Sequence, residues 1–397
     1  MDFFHHIVLK TSLKYTGDEE LRLFTVHKAA FQFLGFDWWD EEGDGQSKGG
    51  IRHFITRVLH PIVYMSGIFS ASVLTAHRCL DLDTSTAYGY NIFMNNIIVV
   101  FAYMYSFTKV VYLHLFYGKN AKKLIRMLED LGELKRGRKA WEDSLKGFSY
   151  YMFLLSWIVS MWSIYFLVKY NNFSYMTSYP WNQETSIGFT AAFECNLLVS
   201  SYVCVVHTAV DSLIAVCCGI MIGHVEELID ILKTIGQPGT DDMKALKEAI
   251  NLHVRVKNAA DEMNNSYSLL FAVQPIYTTL HACVIIFTFV EAEDKVASLL
   301  STSPMLMASY VQLFLYCFFS QKLTSKCEEL TFASYNNNWY CSSMEVKKGL
   351  LLFSVATQRT VALRGLGQRI ASFECLQNTI QESYSAYIIL NSMAKDV

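Results

Sequence analysis

Apolar stretches recur along the chain and alternate with polar segments. Six long apolar runs occupy residues 56–76, 87–115, 148–168, 188–223, 267–290 and 299–320. Residues 371–392 form a seventh candidate that is less apolar than the others. Because roughly 20 apolar residues in a helix cross the hydrocarbon core of a bilayer, each run predicts a transmembrane helix. The second and fourth runs exceed one bilayer thickness, so we expect these helices to tilt or to project beyond it.

Composition places the whole chain in one membrane domain. Apolar residue types make up 52% of the 397 residues and charged residues only 17%, whereas soluble domains carry about 25% charged residues. The 5 prolines mark no linker between halves. We therefore expect a single domain over residues 1–397. Its expected parts are a cytosolic N-terminal segment, six spans, a cytosolic helical anchor segment and a pore-lining seventh span with its tail, at residues 1–55, 56–320, 321–370 and 371–397.

The distribution of basic residues predicts the orientation. Twenty-eight of the 33 lysines and arginines flank the spans on one side of the membrane, and four flank them on the other. Basic residues concentrate on the cytosolic side, so the N-terminus is predicted to be cytosolic and the C-terminus extracellular. An N-glycosylation motif begins at Asn172 in a predicted outer loop. A second motif begins at Asn264, but this topology places it on the cytosolic side.

Two cytosolic segments are too apolar to be simple loops. Residues 322–369 include an apolar run at 350–353, which predicts a buried helix. Residues 243–266 are amphipathic, with a four-residue apolar spacing at Leu246, Ile250 and Val254. Together they predict a packed helical base below the membrane. This base either packs within one chain or also holds subunits together.

The seventh span combines membrane length with a polar stripe. Polar residues recur at three- and four-residue steps, at Glu374, Gln377, Asn378, Gln381 and Ser385. Lipid penalises such a stripe, because polar groups in the membrane need a protein or water partner. One interpretation is that this helix lines a water-filled pore. The alternative is that the span begins near Ser383 and the earlier turns lie in the cytosol.

Isolated acidic residues in and near the spans are further candidates. Glu194 and Asp211 lie within the fourth span, where each is either an ion or ligand contact or a hydrogen-bonded group inside the bundle. Glu291, Glu293 and Asp294 crowd a short outer loop. A ring of such loops would attract cations, although a solvated loop explains the same residues.

The sequence has neither the motifs typical of enzymes nor the basic charge typical of nucleic-acid-binding proteins. It contains no phosphate-binding loop, zinc-protease motif, nucleophile elbow or dinucleotide fingerprint. The ten cysteines match no metal-binding spacing, and the net charge of -3 provides no basic field for nucleic acid. We therefore predict that the protein is not an enzyme and holds no metal or cofactor.

The outer halves of spans two, three, four and six are rich in aromatic residues and methionine. An apolar cavity with few polar groups would suit a small volatile molecule, but side chains that face lipid near the interface have the same composition. The candidate ligand-binding residues are Tyr88, Asn91, Phe93, Met94, Ser160, Met161, Trp162, Tyr165, Phe193, Leu197, Tyr202, Met305, Met307 and Tyr310.

The last third of the chain carries a recognisable set of short motifs. They are Ala333-Ser334-Tyr335, Trp339-Tyr340, Lys347-Lys348, Gln358-Arg359 and Ser383-Tyr384-Ser385, with Leu390 near the end. This pattern resembles the insect odorant receptor family, and the length, span number and orientation agree. Thr360 stands where the family often has proline, so the turn there departs from the pattern.

The resemblance implies a ligand-gated, non-selective cation channel in the plasma membrane of sensory neurons. Members of the family assemble as heterotetramers with a shared co-receptor. The long insert of the co-receptor between spans four and five is missing here, so the chain looks like the ligand-tuned subunit. Its expected partners are therefore that co-receptor, a small volatile odorant, membrane lipid and the permeating cations.

The resemblance also implies a gate near the outer end of the seventh span. The pore and gate candidates are Gln381, Ser383, Tyr387, Leu390 and Asn391. On an ideal helix Tyr387 and Leu390 face away from the stripe that contains Gln381, so either the helix rotates between its halves or the match is shifted by one residue. A gustatory-type receptor channel is an alternative. A transporter is a weaker one, since transporters often have repeated halves and no repeat is visible.

Overall fold

The computed structural model is helical throughout most of the residues that it describes. These are residues 60–80, 87–112, 118–132, 185–292, 295–359, 361–365 and 370–395, with single positions at 24, 27, 30, 31, 148, 149, 152, 154, 181 and 182. The helices are α1 (His60–Leu80), α2 (Ala87–Tyr112), α3 (Gly118–Asp130), α4 (Ser186–Thr234), α5 (Asp242–Glu291), α6 (Lys295–Tyr335), α7 (Met344–Thr357) and α8 (Phe373–Lys395), with a 3-10 helix at Trp339–Cys341. The described residues contain no strand beyond a bridge between Arg364 and Ile370.

Three of these helices are long and apolar enough to cross a membrane. They are α4, α5 and α6, which correspond to the fourth, fifth and sixth predicted spans. The third predicted span, at 148–168, lies almost entirely outside the described residues. The all-helical class is therefore confirmed for the described chain, and the full count of seven spans and the orientation of the termini stay predictions.

The long helices extend well beyond one bilayer. Helix α4 has 49 residues, α5 has 50 and α6 has 41, which at 1.5 Å per residue gives lengths of about 60–75 Å. The amphipathic segment at 243–266 and the fifth predicted span are parts of the same helix, α5. Asp241 caps the N-terminus of this helix, where its side chain accepts a hydrogen bond from the Lys244 amide at 3.1 Å. Polarity changes along α5, but its backbone continues.

Helix α4 lies at the centre of the described bundle. Every residue from 206 to 225 is buried, and the helix packs against α1, α2, α3, α5 and α6. A helix that is apolar on all sides is stable only when other elements surround it. Helix α4 therefore forms the axis around which α1, α2, α3, α5 and α6 are arranged.

The ends of α4, α5 and α6 that lie next to α7 form a base with it, but only some apolar residues of the two predicted segments are buried within the chain. In α7, Leu350 and Phe353 are buried, whereas Leu351 and Leu352 are 67% and 72% exposed. The apolar run that predicted a buried helix is therefore divided between two faces. On the amphipathic stripe of α5, Leu246 is buried within the chain, whereas Ile250 and Val254 are exposed. Small residues such as Ala249 take the packed positions instead.

One aspartate holds the far end of this base together. The Asp242 carboxylate accepts a hydrogen bond from the Gly236 amide at 2.8 Å and from the Ser342 hydroxyl at 2.5 Å. Gly236 has a φ of +77° and lies directly against the carbonyl of Asn338, which favours glycine over any residue with a Cβ. The α4–α5 turn is thereby fixed to the segment that leads into α7.

Candidate functional site

The structure places most of the described pocket candidates inside or at the edge of the bundle. Tyr202 is fully buried on α4. Six others are half-buried on α2, α4 and α6, namely Phe93, Met94, Phe193, Leu197, Met305 and Tyr310. This burial is compatible with a shared cavity among these helices.

Some predicted ligand contacts do not belong to this group. Met307 on α6 is 62% exposed, so its side chain faces away from the interior of the chain and the structure does not bring it to the other candidates. Tyr88 and Asn91 lie in α2, but their side chains are outside the described set. The candidates from the third predicted span and the glycosylation candidate also lie outside the described residues, at Ser160, Met161, Trp162, Tyr165 and Asn172.

Polar contacts join α1 to α2 and α2 to α4 near the predicted pocket residues. The Tyr103 and Ser200 hydroxyls, on α2 and α4, lie 3.4 Å apart. The Cys79 thiol donates weakly to the Phe93 carbonyl at 4.0 Å. Ser200 is two residues from Tyr202, so the α2–α4 contact supports the region in which the pocket candidates cluster.

A buried ion pair lies deeper in the bundle and was not predicted as a pair. Lys109 Nζ donates to Asp211 Oδ1 at 2.7 Å, and the two side chains are 0% and 1% exposed. The Tyr316 hydroxyl donates to the same carboxylate oxygen. His207 Nδ1 lies 3.0 Å from Lys109 Nζ. Asp211 is therefore a hydrogen-bonded bundle residue, the second of the two interpretations of this acid, whereas Glu194 is exposed.

This pair belongs to a polar network that joins four helices. His207 Nε2 lies 2.6 Å from the Ser106 hydroxyl, and Gln312 Nε2 lies 3.2 Å from His207 Nδ1. Gln274 Nε2 donates to Gln312 Oε1 at 3.4 Å, and the Tyr105 hydroxyl donates to Gln274 Oε1. Helices α2, α4, α5 and α6 each contribute at least one member. Because buried polar groups are costly unless they are paired, the network fixes these helices relative to one another.

Further contacts lead from this network through α5 to the predicted pocket residues on α6. The rings of Tyr105 and Tyr277 stack with centroids 4.1 Å apart, and the Tyr277 hydroxyl lies 3.3 Å from His281 Nδ1. His281 Nδ1 lies 2.7 Å from the Ser309 hydroxyl, which donates to the Met305 carbonyl at 3.0 Å. A chain of contacts thus runs from the Lys109 pair to the predicted pocket residues on α6. The sequence signals for it were a lysine and an aspartate, each within an apolar span.

Helix α8 has one packed face and one open face. Thr379 and Ser383 are buried, and the helix packs against α5 and α6. At its N-terminal end the Phe373 ring lies 6.3 Å from the Phe314 ring. The whole predicted polar stripe is exposed, at Glu374, Gln377, Asn378, Gln381 and Ser385. The open face of α8 is therefore mostly polar over its first three turns, where Phe373 and Ile380 are also exposed.

The gate candidates are divided between these faces. Gln381 is exposed, and Tyr387, Leu390 and Asn391 are half-buried. Ser383 is fully buried, so it points into the chain rather than toward a pore surface. The exposed apolar residues near the C-terminal end of α8 are instead Ile388 and Ile389, at 49% and 60% exposure. Sequence reasoning missed them, although Ile388 follows Gln381 by seven residues and therefore lies on the same helix face.

A family model described as the 7tm odorant receptor matches residues 89–384. The chain belongs to this odorant receptor family. The matched segment begins in α2 and ends in α8, so it includes the buried polar network and the motifs from Ala333 to Tyr384. The family that the sequence motifs resemble is thereby confirmed.

Relatives and structural neighbours of the receptor include insect proteins. Odorant receptor 82a of Drosophila melanogaster is 24% identical over 54% of this chain and 56% of its own length. The putative odorant receptor 92a of the same species is 23% identical over 69% of this chain and 73% of its own length. The match thus spans only about half of the first relative. The structure of the olfactory receptor OR5 from Machilis hrabei in complex with eugenol has the same fold, with a TM-score of 0.79 and 15% identity over 95% of this chain and 100% of that one.

Proposed function

We propose that this receptor is the odorant-binding subunit of a ligand-gated, non-selective cation channel. It would open when a small volatile molecule binds among α2, α4, α6 and the third predicted span. It would work in the plasma membrane of sensory neurons, in a heterotetramer with a shared co-receptor. Family membership supports this proposal, as does the fold shared with a receptor whose structure contains eugenol.

The open face of α8 is the observation that carries the proposal. Its five polar stripe residues are exposed although the opposite face packs on α5 and α6. A polar helix face at membrane depth needs water or protein beside it. Several subunits arranged around one axis would meet this need if each turned its α8 toward a shared aqueous pore. Gln381 would then line the inner vestibule, and apolar side chains near Ile388 would form the constriction.

The other gate candidates would flank this constriction. Tyr387 and Leu390 are half-buried, so part of each side chain contacts the rest of the chain and part reaches the open side. An apolar ring of this kind closes a pore by excluding water. The test of the function is an odorant-evoked cation current from cells that express this receptor with the co-receptor.

The base would hold the subunits together. Helix α7 exposes more than half of each of four large apolar side chains, at Met344, Leu351, Leu352 and Val355. Exposed apolar patches of this kind mark contacts with other proteins. We propose that they contact the co-receptor, since assembly below the membrane leaves the spans free to move.

We expect Leu351→Glu to abolish co-purification with the co-receptor. A carboxylate placed in a packed subunit interface lacks a partner and destabilises the interface by several kcal/mol, on the order of 3–5. The measurement is pull-down of tagged co-receptor from detergent extract. Leu351→Met keeps the apolar surface and is expected to retain full binding.

Phe353 provides a second comparison on the same helix. It is buried within the chain and its ring lies 5.4 Å from that of His253, so Phe353→Glu is expected to reduce the amount of folded receptor itself. Normal co-purification of Leu351→Glu would refute the interface role of this surface.

A further inference from the structure

A short linker connects the base to α8 and is held from both sides. The linker, residues 361–365, follows α7 and precedes α8. The Thr324 hydroxyl on α6 donates to the carbonyl of Val361 at 3.1 Å. Ala362 and Leu363 are buried at 5% and 0% exposure. The linker is therefore part of the packed structure rather than a surface loop.

One asparagine on α5 pairs with the linker through both ends of its amide. Asn264 Nδ2 donates to the Ala362 carbonyl at 3.0 Å, and the Arg364 amide donates to Asn264 Oδ1 at 2.9 Å. The side chain thus pairs with a backbone carbonyl and a backbone amide that are two residues apart. A neighbouring β-strand would pair with the same two groups. An amide can provide both groups at once, whereas a carboxylate only accepts. The surroundings therefore specify asparagine here and fix the orientation of its amide.

A second contact brings the linker against the backbone of α5. A Cβ atom added to Gly365 would lie 2.9 Å from the Ala272 nitrogen and 3.2 Å from the Phe271 carbonyl carbon. This separation is too short for any side chain. The linker is therefore joined to α5 at two points, at Asn264 and about two helical turns further on.

The linker is also hydrogen-bonded to the residues that lead into α8, the proposed pore helix. The Ala371 amide, two residues before α8 begins, donates to the Leu363 carbonyl at 3.0 Å. Leu363 stands between the two residues that Asn264 binds. The inner end of α8 is thus tied to α5 by a continuous series of contacts through Asn264, the linker and Ala371.

We infer that Asn264 is a positioning residue for the gate. Through the linker, its amide holds the inner end of α8 in the position that α8 has in the closed channel. The inference rests on the proposed channel function and adds a residue far from the predicted pocket and constriction. Loss of the two hydrogen bonds would free the linker and let α8 leave its resting position without ligand. The ligand-independent current should therefore rise, while the choice of odorant should stay unchanged.

The test is whole-cell recording of the receptor co-expressed with the co-receptor. The measured quantity is the ligand-free current divided by the maximal odorant current in the same cell, which does not depend on surface density. We expect Asn264→Ala and Asn264→Asp to raise this ratio about fivefold or more. Fivefold corresponds to the loss of about 1 kcal/mol of hydrogen-bond stabilisation of the closed state, and about 2 kcal/mol would give a larger increase. Gly365→Ala should raise it too, because it displaces the linker while leaving the amide intact.

The chain offers closely matched controls. Asn265 is the adjacent asparagine and is exposed, so Asn265→Ala should behave like the unaltered receptor. Ser266→Ala removes the glycosylation motif that begins at Asn264 but keeps the amide, and it should also have no effect. A change of odorant rank order in the Asn264 variants would place this residue in ligand binding and overturn the inference.

The remaining outcomes are equally decisive. A ratio in the Asn264 variants equal to that of Asn265→Ala would overturn the inference. So would Asn264 variants that never reach the cell surface while Asn265→Ala does, since the residue would then serve folding alone. An unaltered receptor that gives no odorant current would instead contradict the proposed channel function, and the inference with it.

Discussion

Replacement of Lys109 by methionine should strongly destabilise the receptor. The substitution leaves Asp211 buried without its cation, and removal of one partner from a buried ion pair costs about 3–5 kcal/mol. Asp211→Asn should have a comparable effect, because Lys109 then loses its carboxylate. The amount of folded receptor, measured by fluorescence-detected gel filtration after brief heating, should fall sharply in both single variants.

The double variant Lys109→Met with Asp211→Leu separates charge pairing from packing. Removing both charges restores a neutral interior, so we expect it to recover a large part of the stability lost in either single variant. Lys233→Met is the matched control. Lys233 pairs with Asp230 at 3.8 Å, and the two side chains are 59% and 62% exposed; such an exposed pair contributes only about 0–1 kcal/mol. A double variant less stable than both single variants would show that the pair does not act as a unit.

Pocket and gate substitutions should change different properties of the current. A ligand opens a channel only to the extent that it binds the open state better than the closed one. Tyr202→Ala or Phe93→Ala should therefore shift the half-maximal odorant concentration, and by different factors for different odorants. A lost ring contact of about 1–3 kcal/mol corresponds to a shift of about 5- to 150-fold. Tyr202→Phe, which keeps the ring, should shift it much less.

A polar residue in the constriction should affect every odorant equally. Ile388→Ser is expected to wet the gate and to produce leak current without ligand, while the rank order of odorants stays the same. The same substitution at Leu390 or Tyr387 should give a smaller leak, because those side chains are half-buried. A larger leak from Leu390→Ser than from Ile388→Ser would mean that another face of α8 lines the pore. Reordering of the odorant panel by the gate variants alone would reverse the assignment of the two sites.

Hydropathy alone predicted the helical class because burial in lipid requires nearly continuous apolar runs. It failed to locate the helix ends, since α5 and α6 leave the apolar region without a break in their backbone hydrogen bonds. The boundary drawn between residues 266 and 267 therefore separates two environments of one helix. Periodicity also identified the polar stripe that is exposed on α8, because a membrane helix tolerates polar residues only where water or protein can reach them.

Contacts between residues that are distant in the sequence could not be predicted from it. Lys109 and Asp211 are 102 residues apart, and neither carries any local sign of the other. The exposed state of Leu351 and the buried state of Phe353 depend on how α7 lies against α5 and α6, which an apolar run of four residues does not specify. Asn264 appeared only as part of a glycosylation motif, because a side chain that pairs with a linker about 100 residues away leaves no pattern around itself.

Odorant-evoked current tests the central proposal most directly. Cells expressing this receptor with the co-receptor would be recorded against a panel of volatile molecules, with surface labelling to verify that both subunits are present. We expect at least one odorant to evoke a current whose reversal potential stays the same when external Na⁺ is replaced by K⁺, and which is absent from cells with either subunit alone. Surface-labelled pairs that pass no current for any odorant, or that conduct only one cation, would contradict the account.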